Sequence, residues 1–111
     1  VQANRESVSF IRKKRMYNLA ITFESGIVEH LLKIHNHPKA IIIFGSFSRG
    51  DDIEKSDVDI AVITKKKTSL DTTKYEKFLG RRISIHGIDL NDVSSEFRSN
   101  LANGIVLEGS W

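Results

Sequence analysis

Apolar residues recur at helical spacing in the first third of the chain. Phe10, Tyr17, Ala20 and the pair Phe23/Ile27 fall near one face, which predicts a helix from about Ser7 to Phe23 with Arg12 to Arg15 pointing elsewhere. Ser25-Gly26 marks a break. Ile27, Val28, Leu31, Leu32 and Ile34 then form an amphipathic helix to about His35, and Pro38 disfavours helical geometry just before it. Ala40 to Phe44 is an unbroken apolar run, the pattern of a strand buried on both faces. Gly45 to Gly50 reads as a turn leading into a short helix, and Val58 to Thr64 as a second strand. Asp71 or Thr72 can cap a helix that runs to Leu79 and stops at Gly80. Arg82 to Leu90 predicts a third strand, with Gly87 as a candidate bulge. Ser94 opens a helix through Phe97 and Leu101, and Ile105 to Leu107 forms a last short strand. Tyr75 and Phe78 read as core, and Trp111 as an unpacked end. Strands alternating with helices predict an α/β (α+β) fold: a small mixed sheet of about four strands flanked by helices.

The 111 residues suit one domain. The longest apolar run is too short to span a membrane. The absence of cysteine excludes a disulfide framework and a Cys-based zinc site, and it suits the cytoplasm. The chain does not open on Met, so residues 1–24 read as a helix or linker from an upstream module and 25–111 as the domain proper. Much of the net charge of +3 comes from Arg12-Lys13-Lys14-Arg15 and Lys65-Lys66-Lys67. These are solvated faces or contacts for nucleic acid or nucleotide phosphates. No aromatic residues interleave with either cluster as a stacking platform requires. His30, His35 and His37 match no metal-binding spacing, and His35-x-His37 reads as a solvated loop.

Chemistry concentrates in Gly45-Ser46-x-x-Arg49-Gly50, five further residues, then Ser56-Asp57-x-Asp59-Ile60. Asp57 and Asp59 share one face of a strand, roughly 6.5 Å apart along it. Two unpaired carboxylates that close repel unless a cation lies between them, and a hard divalent ion is the natural one. Val58 and Ile60 point to the other face. Gly45 and Gly50 let the backbone turn sharply and approach a phosphate, and the short helix offers N–H groups to an anion.

This signature resembles the nucleotidyltransferase superfamily that includes DNA polymerase beta and the minimal nucleotidyltransferases of bacteria and archaea. The seven fixed positions from Gly45 to Asp59 match by chance with a probability on the order of 10⁻⁸ to 10⁻⁹ per start, given average residue usage. The resemblance extends more weakly from about Ile27 to Gly109. It implies that Gly45 and Ser46 meet the terminal phosphates of a nucleoside triphosphate, with ATP the expected one, and that Asp57 and Asp59 hold magnesium. Arg49 pairs with a phosphate or braces the loop. Active relatives carry a third acidic residue on a neighbouring strand, often within Val-Asp-Leu-Val-Asp-Leu. The match here is Ile85-His86-Gly87-Ile88-Asp89-Leu90. By strict register His86 takes the catalytic position, where it can act as a base. A bulge at Gly87 brings Asp89 there instead. Failing both, the site is degenerate.

Two functions compete. One is an enzyme that transfers a nucleoside monophosphate to a hydroxyl with two magnesium ions, the acceptor being a protein side chain, a small molecule or an RNA end. The other is a nucleotide-binding regulatory module behind a winged-helix domain, reaching DNA only through that upstream part. The N-terminal helix can pack on its own sheet or on a second copy in a homodimer.

Overall fold

The computed structural model describes residues 4–66 and 68–111, so Lys67 of the second basic cluster lies outside the described residues. The order is α1 (Asn4–Ser25), α2 (Ile27–Ile34), β1 (Ala40–Phe44), α3 (Ser46–Arg49), β2 (Val58–Ile63), α4 (Thr73–Leu79), β3 (Ile83–Ile88), α5 (Ser95–Ala102) and β4 (Ile105–Gly109). The sheet has the order β3-β2-β1-β4. β1 pairs antiparallel with both β2 and β4, whereas β2 and β3 are parallel. A parallel pair needs a crossover, which α4 supplies. The chain thus forms a four-stranded mixed sheet flanked by helices. No helix among the described residues is long and apolar enough to cross a membrane.

Strand alternation sorts the core into two layers. Ile41, Ile43, Val58, Ile60 and Val62 face one way, against Ile27, Val28 and Leu31 of α2, Phe47 of α3, and Tyr75 and Leu79 of α4. Ala40, Ile42, Phe44, Ala61 and Ile63 face the other, against Leu101 of α5 with Phe97 and Trp111 beside it. The central strands β1 and β2 are covered on both sides, which explains their near-continuous apolar sequences. Ser94 caps α5 by accepting the Phe97 N–H at 3.1 Å. Gly80 ends α4 in the left-handed region at φ 68°.

Five side chains depart from expectation. Phe78 is exposed and its neighbour Leu79 is buried, a step of about 100° around α4. Trp111 is packed rather than loose. In α1, Phe10 and Tyr17 are 66% and 63% exposed, and Phe23 also faces solvent. The fully buried positions are polar instead: Asn18 and Thr22 are buried and Lys14 is partly so, while Leu19 and Ile21 pack half-buried against the core beside them. Hydrogen bonds hold the polar ones. Asn18 Nδ2 donates to the Phe47 carbonyl at 3.0 Å and to Asp52 Oδ1 at 3.0 Å, and Thr22 Oγ1 donates to the Asn18 carbonyl. The packing is close, since a Cβ on Gly50 would stand 2.5 Å from the Ile11 carbonyl oxygen. Gly50 therefore serves the docking of α1 on α3.

Candidate active site

The connection from β1 to β2 carries the signature. Gly45 sits at φ 80° and ψ −169°, a region essentially open to glycine alone. Its carbonyl accepts the Ser48 hydroxyl at 2.7 Å, which ties the turn to the first turn of α3. A Cβ on Gly45 would lie 2.7 Å from Asp59 Oδ2, so the turn and the carboxylate touch because the side chain is missing. Ser46 is the first residue of α3, and Gly45 rather than Ser46 occupies the cap. Arg49 is exposed and meets Asp51 at 3.4 Å, and among the described residues its side chain bonds no backbone group.

The five-residue spacer holds what motif reading passed over. Asp52 is fully buried at its side chain and is met by Arg81 at 2.7 Å, Lys14 at 3.2 Å and Asn18 at 3.0 Å. Burial pushes this carboxyl up, but hydrogen bonds from Arg81, Lys14 and Asn18 outweigh it and hold it below the usual carboxylate range. Arg81 also donates to the Glu54 carbonyl at 2.9 Å. One carboxylate thus fastens α1, the loop after α3 and the turn between α4 and β3. The sequence signal was the i, i+4 polar series Lys14, Asn18, Thr22, which an apolar count does not register.

The loop then closes through Ser56, whose N–H reaches the Ile53 carbonyl and whose hydroxyl accepts the Ile53 N–H, each at 2.9 Å. Asp57 follows, half-buried, and Val58 starts β2. Asp59 pairs with Phe44 across the sheet and points to the α5 face. Its carboxylate is 30% exposed, and Oδ1 lies 3.4 Å from His86 Nε2. The His86 ring is fixed by aromatic neighbours, with Phe44 at 5.2 Å and Phe97 at 5.9 Å between centroids. Asp57 opens onto a cleft of about 740 Å³ that also holds Lys55, Lys77 and Arg82. His86 opens onto a smaller one of about 330 Å³ with Asp92 and Phe97.

The bulge expected at Gly87 is absent. β2 and β3 keep one register from Val58↔Ile83 to Ile63↔Ile88, with Val62 opposite Gly87. Asp89 consequently lies past the end of β3, in a turn where its Oδ1 accepts the Asn91 N–H at 3.0 Å. The structure brings His86 to Asp59 and leaves Asp89 at the far end of the strand.

By residue type, Asp57 and Asp59 suit a hard divalent ion, although Asp57 alone lines the larger cleft. Two carboxylates at alternate positions, partly open to solvent, leave room for phosphate oxygens and water. His86 does not extend the set for a second such ion, because imidazole favours softer metals. Among the described residues, no three His, Asp or Glu side chains converge as a ready-made metal cluster.

No curated protein sequence matches the chain. A solved crystal structure is similar to it, that of a protein from Sulfolobus solfataricus proposed to be a nucleotidyltransferase. The identity is 15%, over 89% of this chain and 86% of that one, with a TM-score of 0.48. Residues 27–110 match the family described as Polymerase beta, Nucleotidyltransferase, a span that begins with α2 and takes in the glycine turn, both strand carboxylates and the whole sheet. With its signature set on the strand, turn and strand that the chemistry requires, this chain belongs to the polymerase beta nucleotidyltransferase family.

Proposed function

We propose that the domain binds a nucleoside triphosphate, ATP first among the candidates, and transfers its nucleoside monophosphate to a hydroxyl acceptor with release of pyrophosphate. The observation that carries this reading is the contact between the Gly45 turn and the Asp59 carboxylate, where a Cβ would intrude at 2.7 Å. An anion on the turn and a cation on Asp59 would be immediate neighbours there. Asp57 and Asp59 would hold magnesium, which when bound neutralises phosphate charge and lowers the barrier to attack. A second ion would rest mainly on the substrate's own phosphates.

The chain's own groups supply the rest. Ser46 and the N–H groups that open α3 bind the terminal phosphates, and Gly45 keeps the approach open. The acceptor oxygen attacks the α-phosphorus, the bond to the bridging oxygen breaks, and pyrophosphate leaves. His86 Nε2, 3.4 Å from Asp59 Oδ1, would take the acceptor's proton. The acceptor is a protein side chain or an RNA end held by a partner or a second copy. DNA is reached only through an upstream domain.

A second reading is favoured by the same His86. An imidazole stands in the register of the third carboxylate, and Asp89 is turned away, which suits a module that binds nucleotide without transferring it. Incubation with labelled nucleoside triphosphates, with and without magnesium and with lysate as acceptor, separates the two. Label transfer that disappears in the Asp57→Ala, Asp59→Ala variant supports the enzyme. Saturable binding without transfer supports the module. Absence of nucleotide binding sinks both.

A further inference from the structure

The end of the sheet opposite the signature carries a second concave site of about 540 Å³. Three segments meet there: the turn after α2, the loop after β2 and the turn after β3. β2 runs from Asp59 to Ile63 between the two ends, about 13 Å of strand.

The lining divides by chemistry. Ile63 is buried, and Pro38, Ile88 and Leu90 are partly so, giving an apolar floor. Lys39, Lys65 and Lys66 are exposed around it, with His35 and His37 alongside. None of the three lysines enters an ion pair among the described residues. The one lining carboxylate, Asp89, is engaged by the Asn91 N–H. The surface therefore sets three lysine charges against one carboxylate, a net positive rim over an apolar base. Its segments are shaped locally. Thr64 Oγ1 bonds both the N–H and the carbonyl of Lys66, and Asn36 and His37 are successive left-handed residues at φ 49° and 62°. Few side chains adopt that conformation.

We propose that this cleft binds a phosphorylated small molecule with a flat or apolar body, of mononucleotide size, at a site separate from the signature. Lysine is a compact point charge suited to phosphate. The volume falls within the range of ligand pockets, roughly 300–1,000 Å³, and an apolar floor with a few polar groups is their usual lining.

The test does not depend on the proposed transfer reaction, because it uses the Asp57→Ala, Asp59→Ala variant. AMP, inorganic phosphate and adenosine are each titrated into it and followed by backbone amide NMR. Saturable AMP shifts at residues 63–66 and 88–91, with AMP tighter than either fragment, support the proposal. Adding Lys39→Glu and Lys65→Glu weakens AMP about tenfold or more, while Lys13→Glu on α1 leaves it unchanged. Both lysines are exposed, and a dispersed amide spectrum verifies that the variants fold. Inorganic phosphate binding as tightly as AMP overturns the proposal. So do shifts confined to residues 45–59, or indifference to the lysine reversals.

Discussion

Asp52 and Asp59 lie seven residues apart on either side of the turn into β2. Asp52 is enclosed, with two cations and an amide filling its oxygens. Asp59 is partly open, with a bare glycine on one side and one long contact to an imidazole on the other. A carboxylate that serves the fold has its hydrogen bonds completed by protein. A carboxylate that serves a ligand keeps places open. Neither sequence separation nor residue type distinguishes the two; the partners that approach them do.

Exchanging the fates of these two acids is the strongest way to test the contrast. Asp57→Ala with Asp59→Ala is expected to lower nucleotide transfer more than a hundredfold, since even supporting residues of metal sites cost about 10–100-fold. Its thermal midpoint should stay level or rise, because like charges are removed. Asp52→Ala should do the opposite. Loss of one partner from a buried ion pair costs about 3 kcal/mol, or roughly 15 °C in Tm for a domain of this size. Activity per folded molecule should persist. A calorimetric scan beside a transfer assay reads both variants.

Gly45→Ala links the two regions. It places a side chain in a glycine-only region and against Asp59, at a strain of roughly 1–3 kcal/mol, and it should weaken both stability and triphosphate binding. Unchanged nucleotide affinity in a folded Gly45→Ala protein would separate the turn from the site.

Acid pH sharpens the comparison further. The Asp52 carboxyl lies below its ordinary value of 3.8 in the folded chain. Its stabilisation is therefore complete above that value and is lost as pH falls through the lowered folded one. Urea midpoints measured from about pH 5 to pH 2 should drop in the parent, and this part of the drop should vanish in Asp52→Asn. The smallest effect belongs to Arg49→Ala. An exposed pair with Asp51 is worth about 0–1 kcal/mol, and urea unfolding should register little change.

The sheet was legible because its two central strands are apolar in runs that no solvent face interrupts. The signature was legible because glycine and alternating acids have few other uses in that order. α1 was read on the wrong side because its most buried residues are polar, and hydrophobic periodicity does not see Lys14 and Asn18 meeting Asp52 or Thr22 bonding back to the Asn18 carbonyl. Phe78 was read as core although it is exposed, because a one-residue step on a short helix decides burial. On β3 no bulge forms, so His86 and not Asp89 lies beside Asp59. Gly87 stays in line because its backbone pairing with the central strand β2 continues on both sides of it.

On the proposed function, the pairing of Phe44 with Asp59 also sets when the site forms during folding. The turn and the acid belong to different strands, and they meet only once β1 and β2 have closed in register. A slip of one residue sends Asp59 into the core and Val58 outward. Recovery of the proposed nucleotide binding on refolding should therefore follow the same time course as sheet formation.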